Sequence, residues 1–251
     1  MRCHRRSSLR GPRDPLSATV HHGRQVGRRE LIRRGVVHLG ALAFLPPAAA
    51  HAGASSRYAQ TLSTLRRGVR KEMVAHHSYV KFTRRAETEG YQGIAYLFTT
   101  LATSELIHAQ NYNALLAALG SPIEPTPALP VEVAETKTNL IAAANAEIRT
   151  IDKVYPELLK ALDAEKHQDA LRDVRYAWES HKQHRDMIKK IRRWSPLFFE
   201  KVARRIDEKA DQYYVCQICG STLDYIPKTT CTICGFASSH YRRIDPGIFL
   251  R

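Results

Sequence analysis

Ile94-Ala-Tyr-Leu97-Phe-Thr-Thr-Leu101-Ala-Thr-Ser-Glu105-Leu-Ile-His108-Ala-Gln-Asn-Tyr112 carries the apolar period of a helix and then turns it polar. Ile94, Leu97 and Leu101 recur at three and four residues, which marks one buried stripe. Continued at the same period, the stripe reaches Glu105, His108 and Tyr112. Glu105 and His108 therefore form a Glu-x-x-His pair on a face where leucine is expected.

Three more segments between Ser55 and Arg193 have the same character. The first helix runs Leu62, Leu65, Val69, Glu72, His76, Tyr79; the third runs Leu140, Ala143, Glu147, Thr150, Val154; the fourth runs Leu171, Val174, Trp178, His181, His184, Ile188. The strongest breakers lie between segments: Glu89-Gly90, then Gly120-Ser121-Pro122 through Pro130. The pattern predicts an all-α four-helix bundle, with a long proline-bearing crossover at 120–136. A lone histidine or glutamate on an apolar stripe is usually a hydrogen-bonded core residue. Glu72, Glu105, His108, Glu147, His181 and His184, spread over four helices, are a different matter. Three buried carboxylates repel one another unless cations sit among them, and a dinuclear metal centre supplies those cations.

Beyond the bundle, Cys216-Gln-Ile-Cys219-Gly and Cys231-Thr-Ile-Cys234-Gly stand with eleven residues between the pairs. Each CxxC turn can aim two thiolates at one ion, so the spacing predicts a tetrahedral four-sulfur site for iron or zinc. Two disulfides are the bland alternative. A segment this short has little core of its own, so metal binding and folding should be coupled there.

The first 52 residues read as an export signal of the twin-arginine type: Arg28-Arg29-Glu-Leu-Ile, an apolar run from Val36 to Leu45, Pro46-Pro47, then small residues to Ala52. The run is shorter than the roughly 20 residues that span a bilayer, which favours cleavage, with a retained amphipathic anchor as the other reading. Without these residues the net charge falls from +15 to +7, with 29 basic against 22 acidic residues, so much of the basicity belongs to the signal. The remaining cluster from Lys182 to Arg205 reads as a solvated helix face, and no nucleic-acid partner is expected. Cys3 leaves with the signal, and all four remaining cysteines belong to the metal pattern.

Together these features resemble rubrerythrin, a ferritin-like di-iron bundle followed by a rubredoxin-like domain. The likeness rests on Glu72 with Tyr79, on Glu105-Leu-Ile-His108-Ala, on Asn139-Leu-Ile-Ala with Glu147 and Tyr155-Pro156, and on Tyr214-Val-Cys216 through Cys234-Gly. It implies four parts: a signal at 1–52, a bundle at 53–195, a connecting helix or linker at 196–212 and a rubredoxin-like domain at 213–251. It also implies that Glu72 and His108 bind one iron, that Glu105 bridges, and that Glu147 and His184 bind the second. Tyr79 and Tyr155 would support the ligands, and Glu72, Glu105 and Glu147 would act catalytically through the metals. Two positions depart from the family. His181 stands where the family has a second bridging glutamate, and Thr150 where it has a further glutamate. Losing a carboxylate should disfavour the oxidised centre and admit other metals, since imidazole-rich sites are less selective for iron. His76, a turn beyond Glu72, would either compensate or make a supporting hydrogen bond.

The resemblance implies an exported, periplasmic oxidoreductase that reduces hydrogen peroxide at two irons, resupplied through the four-cysteine iron by an unidentified electron donor. In the family this occurs in a head-to-tail homodimer. The departures leave an alternative open: an iron-binding, iron-oxidising (oxygen-using) or electron-transfer protein with an iron or zinc knuckle. A metal-free adaptor is a third reading, at odds with so many buried charges.

Overall fold

The computed structural model describes residues 57–124, 130–192 and 212–250, with 199, 201, 203, 204 and 206 between them. The predicted signal lies outside the described residues. Among the described residues the continuous α-helices are, in order, α1 (Ala59–Thr88), α2 (Gln92–Ala118), α3 (Thr136–Arg149), α4 (Tyr155–Asp163) and α5 (Gln168–Arg192). A five-residue π-turn, Thr150–Val154, joins α3 to α4, so the third predicted helix is one rod with a wider turn inside it. Pro156 accounts for the widening, because its ring lacks an N–H and crowds the carbonyl four residues back. Trp178 Nε1 on α5 donates to the Ile151 carbonyl in that turn at 3.0 Å.

Distant carboxylates close the helix ends. Glu165, in the turn before α5, accepts from the amides of Gln60 and Thr61 at 2.9 and 2.7 Å. Glu89, at the end of α1, accepts from Thr136 N at 2.8 Å. Both place negative charge against the unpaired N–H groups of a helix start.

The apolar stripes meet in two clusters rather than one. Leu62, Leu65, Tyr112, Leu158, Leu162, Leu171 and Val174 pack at one end. Tyr79, Phe82, Phe98, Leu101, Leu140 and Ile188 pack at the other. The polar residues of the stripes fall between them, so apolar packing clamps the polar layer from both sides. Val154 and Trp178 are only partly buried. Within the connecting segment, Ala203 is buried, and Phe199 and Ile206 pack against the second cluster, with the Phe199 ring 5.2 Å from that of Tyr91.

The C-terminal part is a small antiparallel sheet of order β2-β1-β3, made of β1 (Tyr214–Cys216), β2 (Thr222–Leu223) and β3 (Tyr241–Arg243). It lies against the bundle. Val215 and Ile244 pack with Tyr96 and Ile107 of α2, and Tyr96 OH donates to Ile244 O and accepts from Tyr213 N, each at 3.0 Å.

Candidate metal centres

The four sulfurs lie close together, with Cys216 to Cys234 at 3.9 Å and Cys219 to Cys231 at 3.6 Å. A disulfide would need about 2.05 Å. The edge of a tetrahedron around an ion with bonds of about 2.3 Å is about 3.8 Å, which the observed spacings match. The cysteines are free thiols rather than disulfides. The Cys216 sulfur holds the Cys219 thiol well up and burial pushes Cys234 up to about 12, while hydrogen bonds with Cys216 and Cys219 hold Cys231 well down, so one thiolate forms readily and all four ionise together only around a cation. Tyr241 OH donates to Cys231 Sγ at 3.2 Å.

In the bundle, the structure brings all six predicted side chains together in two groups that share Glu105 and His181. One group is Glu72, Glu105, His108 and His181; the other is Glu105, Glu147, His181 and His184. None of the six is more than 2 % exposed. His181 sits between the groups, with Nε2 3.4 Å from both Glu72 Oε2 and Glu105 Oε2 and Nδ1 2.6 Å from Glu147 Oε2. Tyr155 OH donates to Glu72 at 2.6 Å and Tyr79 OH to Glu147 at 2.7 Å. Burial, reinforced by these carboxylates, holds both phenols well above their ordinary value, so they stay protonated donors. His76 belongs to neither group: its Nδ1 pairs with the Ala102 carbonyl at 2.8 Å. Thr150 is buried at the start of the π-turn and belongs to neither group.

The fit to metal follows from the tautomers. His108 Nε2 lies 3.2 Å from Cys219 O, an acceptor only, so this nitrogen must carry the proton. The other nitrogen, Nδ1, then presents a lone pair to Glu105 Oε2 at 3.0 Å, and two acceptors that close need a shared cation. At His184, Nε2 meets Thr222 Oγ1 at 3.2 Å. Thr222 already donates its own proton to Gly220 O at 2.9 Å, so it accepts from His184. That leaves His184 Nδ1 facing Glu105 Oε1 at 3.4 Å, and both atoms are buried without a hydrogen-bond partner. Orphaned carboxylate oxygen and imidazole nitrogen aimed at one point are a donor set suited to iron.

Electrostatics agree. Burial opposes charge at Glu147, yet His181 pulls that carboxyl down to about 2. Burial likewise opposes the His181 cation, but Glu105, Glu147 and Glu72 overcome both it and the opposing Lys71, raising the ring to about 10. Burial dominates at His108, which is lowered.

The sulfur site and the bundle site adjoin. The turn after Cys219 seats on the His108 and His184 rings, and the Gly220 carbonyl receives the hydroxyls of Ser104 at 2.7 Å and Ser180 at 2.8 Å. Asn111 Nδ2 donates to Ile218 O at 2.8 Å, and Gln183 Oε1 accepts from Ser221 Oγ and Thr222 N at 3.0 and 2.9 Å. Sequence reasoning missed these contacts and missed Lys71, whose ammonium reaches Glu72 Oε2 at 2.9 Å. The small hydroxyl residues next to Glu105 and His181 were the available signal for the docking site.

Comparison with known proteins agrees with this geometry. The rubrerythrin family model matches residues 63–192. Rubrerythrin-2 of Clostridium acetobutylicum is 28 % identical over 193 residues, covering 75 % of this chain and 98 % of that protein. Nigerythrin of Nitratidesulfovibrio vulgaris is 35 % identical over 112 residues, covering 44 % and 55 %. A solved structure of nigerythrin in its fully reduced, all-ferrous state superposes with a TM-score of 0.61 at 27 % identity, covering 73 % of this chain and 86 % of that one. The two ligand groups form a rubrerythrin-type di-iron site, and the cysteines form a four-cysteine metal site like that of a rubredoxin-like domain.

Proposed function

The chain belongs to the rubrerythrin family, and from that premise we propose that it is an exported oxidoreductase that reduces hydrogen peroxide to two waters, consuming two electrons and two protons. When bound, the two irons supply the electron pair that cleaves the O–O bond, and an iron held by the four cysteines replaces those electrons one at a time.

The residues divide the remaining work. Glu72, Glu105, Glu147, His108, His181 and His184 hold the ions in a layer closed by apolar packing on both sides, which keeps bulk water away. Tyr79 and Tyr155 donate to Glu147 and Glu72 and fix which carboxylate oxygens face inward. The observation that carries the reading is the hydrogen bond from His108 to the carbonyl of Cys219, because it joins a ligand of one centre to a ligand of the other. Both ends of that bond lie in one chain. The electron path proposed here therefore runs within a chain, and diluting the protein until any homodimer dissociates should leave reduction of the bundle irons unslowed.

The test is stopped-flow reaction of the reduced, iron-loaded protein with peroxide. Glu147→Ala should abolish turnover while leaving the four-cysteine absorption intact, and undiminished turnover would sink the assignment. His181 in place of a carboxylate favours the second reading, an iron-oxidising or iron-handling protein. Oxidation of iron(II) by oxygen outpacing peroxide reduction would favour it. Export rests on Arg28-Arg29 and the apolar run after them. Replacing both arginines by lysine should retain the protein in the cytoplasm.

A further inference from the structure

We infer that Lys71 makes the two metal positions of the bundle unequal, so that the position of Glu72, Glu105, His108 and His181 holds its ion more weakly than that of Glu105, Glu147, His181 and His184. The inference rests on the dinuclear reading above.

In other respects the positions are matched. Each has one carboxylate of its own held by a tyrosine hydroxyl, Tyr155 on Glu72 and Tyr79 on Glu147. Each has one imidazole whose outer nitrogen is tied to the turn after Cys219, His108 through Cys219 O and His184 through Thr222. Glu105 and His181 are common to both.

Lys71 breaks the match. Residue i−1 on a helix points about 100° away from residue i, and a lysine beside a buried glutamate would ordinarily reach for solvent. Here the side chain turns over the Tyr155 ring, with Nζ 5.3 Å from its centroid. The ammonium lies 2.9 Å from Glu72 Oε2 and 3.0 Å from His181 Nε2. Glu72 belongs to the first position alone, and His181 presents this nitrogen to Glu72 and Glu105 while turning Nδ1 to Glu147. Among the described residues, the ion pairs of Glu147 and His184 involve no lysine or arginine.

Two consequences follow for an ion at the first position. It must share Glu72 with an ammonium that already hydrogen-bonds it and take the His181 nitrogen that the same ammonium approaches at 3.0 Å, and it must sit within a few ångströms of that positive charge in a buried layer, where repulsion is poorly screened. An ion at the second position shares only His181 with the ammonium, since Lys71 hydrogen-bonds neither of the ligands that belong to that position alone, Glu147 and His184. The Lys71 side chain is 20 % exposed whereas that of Glu72 is fully buried, so Lys71 also stands between the first position and solvent. An arriving ion can displace the ammonium outward, and a departing ion is replaced by it. The first position is therefore the exchangeable one, where iron enters last, leaves first and is most readily replaced by another divalent ion.

The test is anaerobic titration of the full chain with iron(II) after its four-cysteine site is filled. Bound iron is counted by plasma mass spectrometry and followed by calorimetry. Two bundle steps are expected, separated by about tenfold or more in affinity. In Lys71→Met and Lys71→Gln the weaker step should tighten until the two nearly merge, and Lys71→Arg should keep them apart. Glu72→Gln should delete the weak step and Glu147→Gln the tight one. Equal steps in the natural protein, unchanged steps in both neutral variants, or loss of the tight step in Glu72→Gln would each overturn the inference. Absence of any bundle iron in every variant, with the four-cysteine site filled, would instead overturn the dinuclear reading beneath it.

Discussion

The two cysteine turns are nearly the same object locally. In each, the amide of the glycine after the second cysteine donates to the carbonyl of the first, Gly220 to Cys216 and Gly235 to Cys231, both at 2.9 Å. Each glycine is left-handed, at φ of 76° and 75°. What lies in front of them differs completely. A methyl group on Gly235 would meet nothing within 4 Å, whereas one on Gly220 would collide with His108 Nε2, approach His108 Cδ2 at 2.7 Å and approach Ser104 Oγ at 2.9 Å. Chelation is thus nearly symmetric and docking is not. The motif makes the sulfur site, and only its placement against α2 and α5 brings that site to the bundle ligands.

The largest effect should come from putting alanine in both places. Gly235→Ala carries the conformational penalty alone, about 1 kcal/mol. Gly220→Ala carries the same penalty plus overpacking against buried rings, a further 1–3 kcal/mol or so, and should lift the turn from His108. Denaturant unfolding should separate the two variants by that margin. Reduction of the bundle irons by the four-cysteine iron should slow sharply in Gly220→Ala alone. Equal behaviour of the two variants would mean that the seated turn is not the electron path.

A milder exchange makes one turn resemble the other in chemistry rather than shape. The first turn continues Ser221-Thr222 where the second continues Phe236-Ala237. Thr222 is 1 % exposed and Phe236 50 %. Thr222→Ala removes the nearer acceptor of the buried His184 Nε2–H and leaves only Ser180 Oγ, 3.4 Å away, at about 1 kcal/mol. Loss of such an orienting partner should also weaken metal at the Glu147 position by roughly tenfold or more. Metal titration of this variant checks the second effect and thermal unfolding the first.

That pair of dipeptides also marks how far the sequence could be read. The bundle was legible because Glu72, Glu105, Glu147, His181 and His184 interrupt apolar stripes that were otherwise regular, and the sulfur site because CxxC spacing is a local property. Which turn docks was legible in principle, since hydroxyl residues after Cys219 and an aromatic one after Cys234 distinguish a buried from an exposed turn. Lys71 was not legible. Its neighbour Glu72 fixes the stripe, and nothing in a helical period says that residue 71 will bend back across it. Nor does a period reveal the π-turn at Thr150–Val154, which arises from the local conflict around Pro156 rather than from the apolar pattern. The contact between the two centres within one chain depends on tertiary placement, and the resemblance pointed to a second chain for it.

The comparison sharpens further at His181, the one imidazole of the ligand groups that the docked turn does not touch. Its folded value of about 10 lies above the ordinary 6.5. In protein stripped of metal, the protonated ring therefore stabilises the fold fully below pH 6.5, and that contribution is lost as pH rises through about 10. Metal competes with the same proton, so affinity at the bundle should rise with pH over this window. Calorimetry in buffers of different ionisation enthalpy should show proton release on loading, reduced by about one proton in His181→Gln. An unchanged release would mean that the protons come from His108 and His184 and that the docked turn does not set their tautomers.

The smallest effect belongs to Tyr241, which joins the two turns: its hydroxyl proton is shared between Ser221 Oγ, 2.8 Å away on the docked side, and Cys231 Sγ, 3.2 Å away on the open side. Hydrogen bonds to a ligand sulfur favour the more negative, reduced state of an iron–thiolate centre. Tyr241→Phe should therefore lower the potential of the four-cysteine iron and cost only about 1 kcal/mol of stability, with Gly220 still seated and both bundle ions in place. Potentiometric titration against the natural protein reads the shift directly. A lower potential makes this iron a stronger donor to the bundle, so electron delivery should quicken even as the centre becomes harder to reduce from outside. An unchanged potential would show that the open turn contributes only sulfur, and that the environment of the docked turn sets the centre's electronics by itself.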